Sequence, residues 1–160
     1  MKAIATNVIQ VPSGSFCREA KPKLEAFFSF GTKAETLVSL KPWVTLALIP
    51  RQISFTYSHW AHASELLVEK VTQEFSSLPL AIRSSAINED ASGESQAGAF
   101  TSCLGIDSTD SAAIRKAIQD VFASFDTNPA NQVLIQPMLQ DVILSGVMMT
   151  HEVDTGAPYY

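Results

Sequence analysis

The chain has 160 residues, 46% of them apolar and 17% charged. That length and apolar share suit one core-bearing domain, or part of a larger one, with less surface charge than the roughly 25% of a free-standing domain. A net charge of −5 without any basic run argues against non-specific nucleic-acid binding, and the longest apolar runs, such as residues 43–50, fall far short of the ~20 residues that span a bilayer.

Residues 1–12 carry one Lys and no apolar stretch of the secretory-signal kind. Cys17 and Cys103 are too few for a disulfide scaffold. The expectation is a reduced, cytoplasmic, globular protein without a nucleic-acid or membrane partner. Residues 3–11 carry a weak strand pattern, and 13–23 form a polar loop. Phe27, Phe28 and Phe30 lead into Gly31-Thr32-Lys33 and a short helical pattern with Leu37 and Leu40, ended by Pro42. Ile53, Phe55 and Tyr57 alternate as in a half-buried strand over 52–57.

Ser58 is the predicted N-cap of a helix over 58–76, with Trp60, Leu67, Val71 and Phe75 on one face. Pro79 opens a short strand over 80–83. Residues 84–98 are polar and small, too poor in apolar side chains to be core. A strand over 99–106 precedes a helix over 110–125, capped by Asp110 or Ser111, with the stripe Ile114, Ile118, Val121, Phe122 and Phe125. Strands are predicted at 132–136 and 144–150. A turn at Asp154-Thr155-Gly156 leads into a returning strand at 157–160. The predicted class is α+β: a mixed sheet with helices packed on it.

Arg83, at the end of an apolar strand and followed by Ser84 and Ser85, is the most unusual feature. A planar guanidinium beside hydroxyls suits phosphate oxygens. An ion pair with Glu89 or Asp90 explains the same residues equally well. Gly98 suits either close backbone approach to a phosphate or a plain turn or bulge. Lys33 starts a helix, where backbone N–H groups favour anions, although the Walker spacing is absent and a solvated Lys is the simpler account. Gln136-Pro137-Met138 ends a buried strand. Its backbone groups either pair with a heterocycle edge or mark a strand end. His59, His62 and His151 form no metal or catalytic constellation, and no Gly-x-Ser-x-Gly elbow is present. No catalytic or metal-ligating residue is assigned.

Taken together, Ala81-Ile82-Arg83-Ser84-Ser85-Ala86 with Glu89-Asp90 and then Ala97-Gly98 closely resembles the signature of the pyruvate phosphate dikinase and phosphoenolpyruvate synthase family, in its N-terminal ATP-grasp nucleotide-binding domain. Gly31 to Leu37 is similar to that family's Gly-Gly-Lys loop, and Ile49-Pro50 through Thr56 to the segment after it. Gln136-Pro137-Met138, Ser145-Gly146-Val147, Thr150 and Thr155-Gly156 resemble the hinge and the following strand. Order and spacing agree from about residue 30 to residue 160. Thr32 departs from the pattern where a second Gly is usual, Ala99-Phe100 replaces a polar pair, and His151-Glu152-Val153 replaces an Arg and a Pro.

The resemblance implies that Mg-ATP binds here and that phosphate passes through a His on a separate domain to pyruvate or a similar acceptor. It implies that Lys33 and Arg83 hold ATP phosphates, that Gly98 lies in the loop over them, and that Gln136 and Met138 line the adenine cleft. The family's Mg²⁺ ligands, phospho-accepting His and acceptor domain lie beyond residue 160. The expectation is therefore a partial ATP-grasp domain over 1–160, the N-terminal piece of a longer enzyme, inactive and weakly ATP-binding alone and prone to self-association. A short non-catalytic nucleotide-binding or interaction module of the same fold is the alternative. A domain without any ligand would follow from a buried, Glu89-paired Arg83.

Overall fold

Four antiparallel strands make the sheet, in the order β1-β4-β2-β3. They are β1 (Ile53–Thr56), β2 (Pro79–Ser85), β3 (Ser102–Asp107) and β4 (Gln132–Pro137), with helices α1 (Lys33–Leu40), α2 (Tyr57–Glu74) and α3 (Ser111–Ala123). This computed structural model describes residues 31–87, 100–125, 128–146, 151–152 and 155–158. The α+β class is as expected, but where a mixed sheet was predicted every ladder among the described residues is antiparallel.

Strand alternation sets the layers. Ile53 and Phe55 of β1, Leu80 and Ile82 of β2, and Val133 and Ile135 of β4 point to one face and form one core with α2 and α3. From α2 that core takes Trp60, Val68 and Val71, with Leu67 partly buried, and Phe75 from the C-cap. From α3 it takes Ile114, Ala117, Ile118, Val121 and Phe122. Both predicted stripes therefore face the sheet, and Phe75 and Phe122 are buried. Phe55 and Trp60 stack with ring centroids 6.0 Å apart, and Tyr57 meets Phe122 edge-on at 5.3 Å.

Helix starts follow the hydroxyl and carboxylate caps. Asp110 caps α3, accepting from the Ala112 and Ala113 N–H groups, both at 2.9 Å. In α2 the cap is Thr56, not the expected Ser58. The Thr56 hydroxyl accepts from the His59 N–H at 3.2 Å, so β1 runs straight into the helix. Ser58 lies inside the first turn, its own N–H donating to the Pro129 carbonyl at 3.1 Å.

The edge strand β3 contains an irregularity opposite Leu80 and Ala81. Gly105 has φ +72°, open to glycine at no steric penalty. This extra residue lets Cys103 and Ile106, three apart, both pack on the core while Leu104 stays exposed. Leu144, Ser145 and Gly146 lie in no strand, against the predicted strand over 144–150; residues 147–150 lie outside the described residues. Gly156, at φ +68°, closes the expected turn, and His151 bridges to Pro158. The expectations for residues 1–30 also fall outside the described residues.

Candidate functional site

The face of the sheet away from α2 and α3 carries the polar residues. Along β2, Ala81, Arg83 and Ser85 alternate with the core side chains, and along β4 so do Gln132, Leu134 and Gln136. In the register, Arg83 sits opposite Leu134, and Gln136 opposite Ala81. Arg83 and Gln136 are therefore diagonal cross-strand neighbours, within reach of long side chains.

The short helix α1 lies on this same face. Its N-cap, Thr32, forms a capping box with Glu35: the Thr32 hydroxyl accepts from the Glu35 N–H at 3.3 Å, and the Glu35 carboxylate from the Thr32 N–H at 3.0 Å. The Thr32 N–H and then the Gln132 amide hold the Glu35 carboxyl below its ordinary range. Gly31 is needed for this fold-back, because a Cβ there would overlap the Glu35 carboxylate.

Three further hydrogen bonds clamp α1 to the sheet. The buried Ser85 hydroxyl accepts from the Ala34 N–H at 2.9 Å. The Gln52 amide donates to the Ala34 carbonyl at 2.8 Å. The Gln132 amide donates to the Glu35 carboxylate at 2.8 Å. Gln52 also accepts from Gln136 Nε2 at 3.5 Å, which links α1 to the end of β4.

Lys33 is the first helical residue. It is half-buried, and its Nζ donates to the Ser84 carbonyl at 3.5 Å, one residue along from Arg83. Arg83 is exposed, and among the described residues nothing hydrogen-bonds or ion-pairs with its guanidinium. The structure thus brings Lys33, Arg83 and Gln136 to one face. Glu89, Asp90 and Gly98 lie outside the described residues, so the ion-pair account and the Gly98 expectation cannot be placed.

Two sequence expectations change. The N-terminus of α1 is not an open anion site, because the Ala34 and Glu35 N–H groups are already taken by Ser85 and Thr32. The Met138 N–H is not an exposed donor either, since it donates to the Pro79 carbonyl at 2.8 Å. The Met138 side chain is 40% exposed. Ser85, expected from sequence as a hydroxyl beside a phosphate, is instead buried and engaged by the Ala34 N–H, 51 residues away; Gln52 and Gln132 were not singled out from sequence, and their partners lie 18 and 97 residues away.

A groove of about 600 Å³ lies on the opposite, helical side. Tyr57, Trp60, Phe122 and Phe125 dominate it, with Ser64, Gln119 and Asn128 as polar members and no cation. Its lining offers a phosphate no positive charge. Among the described residues no three His, Cys, Asp or Glu side chains gather to hold a metal ion. Nor is any helix among them long and apolar enough to cross a membrane.

An antiparallel α+β domain with Lys and Arg side chains gathered on its polar face has the character of an anion-binding, nucleotide-type domain. The chain belongs to the family described as the pyruvate phosphate dikinase, AMP/ATP-binding domain, which matches residues 34–159. That stretch includes Arg83, Gly98, Gln136 and Met138; Lys33 immediately precedes it. Comparison with curated proteins and with solved structures gave no match. The chain is thus an ATP/AMP-binding domain of a kinase-type enzyme family.

Proposed function

We propose that this chain is the ATP-binding portion of a phosphoenolpyruvate-synthase-like phosphotransferase, part of an ATP-grasp unit in a longer cytoplasmic enzyme. In this reading phosphate leaves ATP for a His on another domain and then passes to pyruvate or a similar acceptor. Lys33 and Arg83 hold ATP phosphates, Gly98 belongs to the loop above them, and Gln136 and Met138 line the adenine cleft. The observation that carries the reading is the gathering of Lys33, Arg83 and Gln136 on the sheet face opposite α2 and α3. Two cations on one face suit a polyphosphate, whose charge offsets their mutual repulsion.

Mg²⁺, which would bridge phosphates in phosphoryl transfer, does not fit the described residues of this face. The Glu35 carboxylate beside it already accepts from Thr32 and Gln132 through its two oxygens. The metal ligands are proposed to lie in the second half of the ATP-grasp unit. Without that half the nucleotide is less enclosed and the cations are more screened by water, so this chain alone binds ATP weakly and transfers no phosphate.

Calorimetric titration of ATP into the chain and its Arg83→Ala and Lys33→Ala variants tests this. The expected affinity is weaker than micromolar, falling about tenfold or more in Arg83→Ala, as for a charge-assisted hydrogen bond. Equal ATP binding with and without Arg83 refutes the site. Micromolar affinity that depends on Arg83 refutes the incompleteness.

A further inference from the structure

We propose that Gln52 fixes the polarity of the Gln136 side-chain amide, so that this end of the site offers the nucleobase an acceptor and selects a 6-amino purine over a 6-oxo purine. The proposal rests on the ATP-binding reading above and names the residues that would set its base preference.

Donors and acceptors here follow from one another. The Ala34 carbonyl can only accept, so the group facing it at 2.8 Å is the Gln52 Nε2 amide. That leaves Gln52 Oε1 at the other corner of the same planar amide. Oε1 can also only accept, so Gln136 turns its Nε2 toward it, at 3.5 Å. Gln136 Oε1 is what remains, and among the described residues it accepts nothing. It lies on the face that carries Arg83, two positions along β4 from Arg83's cross-strand partner Leu134.

Backbone donors at this end do not compete. Pro137 has no N–H, and the Met138 N–H is held by the Pro79 carbonyl at 2.8 Å. A purine edge meeting Gln136 therefore meets an oxygen. The 6-amino group of adenine donates to it. The 6-oxo group of hypoxanthine or guanine places lone pair against lone pair. The amide cannot turn to accommodate that group without putting its own oxygen against Gln52 Oε1.

The test compares ATP with ITP, which differ at the purine 6-position and the adjoining ring nitrogen, by calorimetric titration of the chain and its variants. The wild type is expected to favour ATP by about tenfold, the scale of one hydrogen bond gained against one acceptor left facing another. Gln52→Met is near-isosteric and removes both amide contacts. It frees Gln136 to rotate, so the ATP/ITP ratio should fall to within about twofold, mainly through tighter ITP binding. Gln136→Leu should also bring the ratio near unity, through weaker ATP binding. An unchanged ratio in Gln52→Met, with binding still lost in Arg83→Ala, overturns the proposal and leaves the ATP reading standing. Should Gln52→Met fail to fold, an ATP preference retained in Gln136→Leu overturns it equally. Wild-type ATP binding that does not depend on Arg83 overturns the ATP reading and this assignment together.

Discussion

Ser85→Ala isolates the contact that seats α1. Ser85 is fully buried, and its hydroxyl accepts the N–H of Ala34, itself 1% exposed. Removing that oxygen leaves a buried donor without a partner, at a cost of about 1–3 kcal/mol. The space vacated is about that of one oxygen atom, too small to admit a water that would repair the loss. The penalty acts first on α1 alone. The helix has eight residues, too few for stability without docking. Once undocking becomes easier than paying the full desolvation, α1 detaches and the loss stops growing. Global unfolding in urea therefore under-reports the effect, and amide exchange at Ala34 reports it directly. The expected result is exchange at Ala34 faster by about 5- to 150-fold, the equivalent of 1–3 kcal/mol, with amides of α3 unchanged. Exchange at Ala34 within twofold of wild type would show that α1 is held by something other than Ser85.

The Glu35 carboxyl has its folded pKa lowered from 4.5, first by the Thr32 N–H and then by Gln132. Its stabilising contribution is present above pH 4.5 and is lost as pH falls through the folded pKa. Glu35→Gln should therefore be less stable than wild type at neutral pH and match it well below pH 4.5, as followed by thermal unfolding across the acid range; a difference independent of pH refutes the capping-box account. Gly105 has open space around it but φ +72°. Gly105→Ala should lower stability by about 1 kcal/mol through the left-handed backbone alone, with the urea m-value unchanged, and an unaltered midpoint would mean that the bulge relaxes.

The elements most legible in the sequence were those whose side chains face one core. The stripe of α3 and its Asp110 cap are a local, periodic signal, and the structure keeps every member of the stripe buried or half-buried. The start of α2 was misplaced by two residues because Thr56 serves as both the last residue of β1 and the cap. The alternation of Ile53, Phe55 and Tyr57 carried the predicted strand to residue 57, which left Ser58 as the next hydroxyl able to cap. The bulge at Gly105 was invisible, because its signal is a lone Gly in a strand pattern. At the site, the residue types left Arg83 level with an ion pair and Lys33 better explained as solvated; the family resemblance singled them out, and their shared face was not readable. It depends on α1 crossing to β2 and β4 through Ser85, Gln52 and Gln132, pairings between distant segments that no periodicity encodes. One part of it was readable: Thr32-Lys33-Ala34-Glu35 has the S/T-x-x-E spacing of a capping box.

The position of Lys33 is thus only as well defined as the clamp beneath it. A lysine side chain loses up to about 2 kcal/mol of rotamer entropy when fixed, and an isolated eight-residue helix would add the loss of its own backbone order. The capping box, Ser85 and the two glutamines settle much of the backbone part before any ligand arrives. Arg83 needs less help, because it rises from a central strand paired on both sides. The two cations therefore differ in kind. Arg83 is a rigid fork set by the sheet, and Lys33 is a mobile charge carried on a docked helix. Any ligand that engages Lys33 also stabilises the docked form of α1, by mass action on whatever fraction is undocked. Binding on this face and the order of α1 are two readings of one equilibrium, and the network from Ser85 through Ala34 and Gln52 to Gln136 joins the proposed phosphate end of the site to its proposed base end.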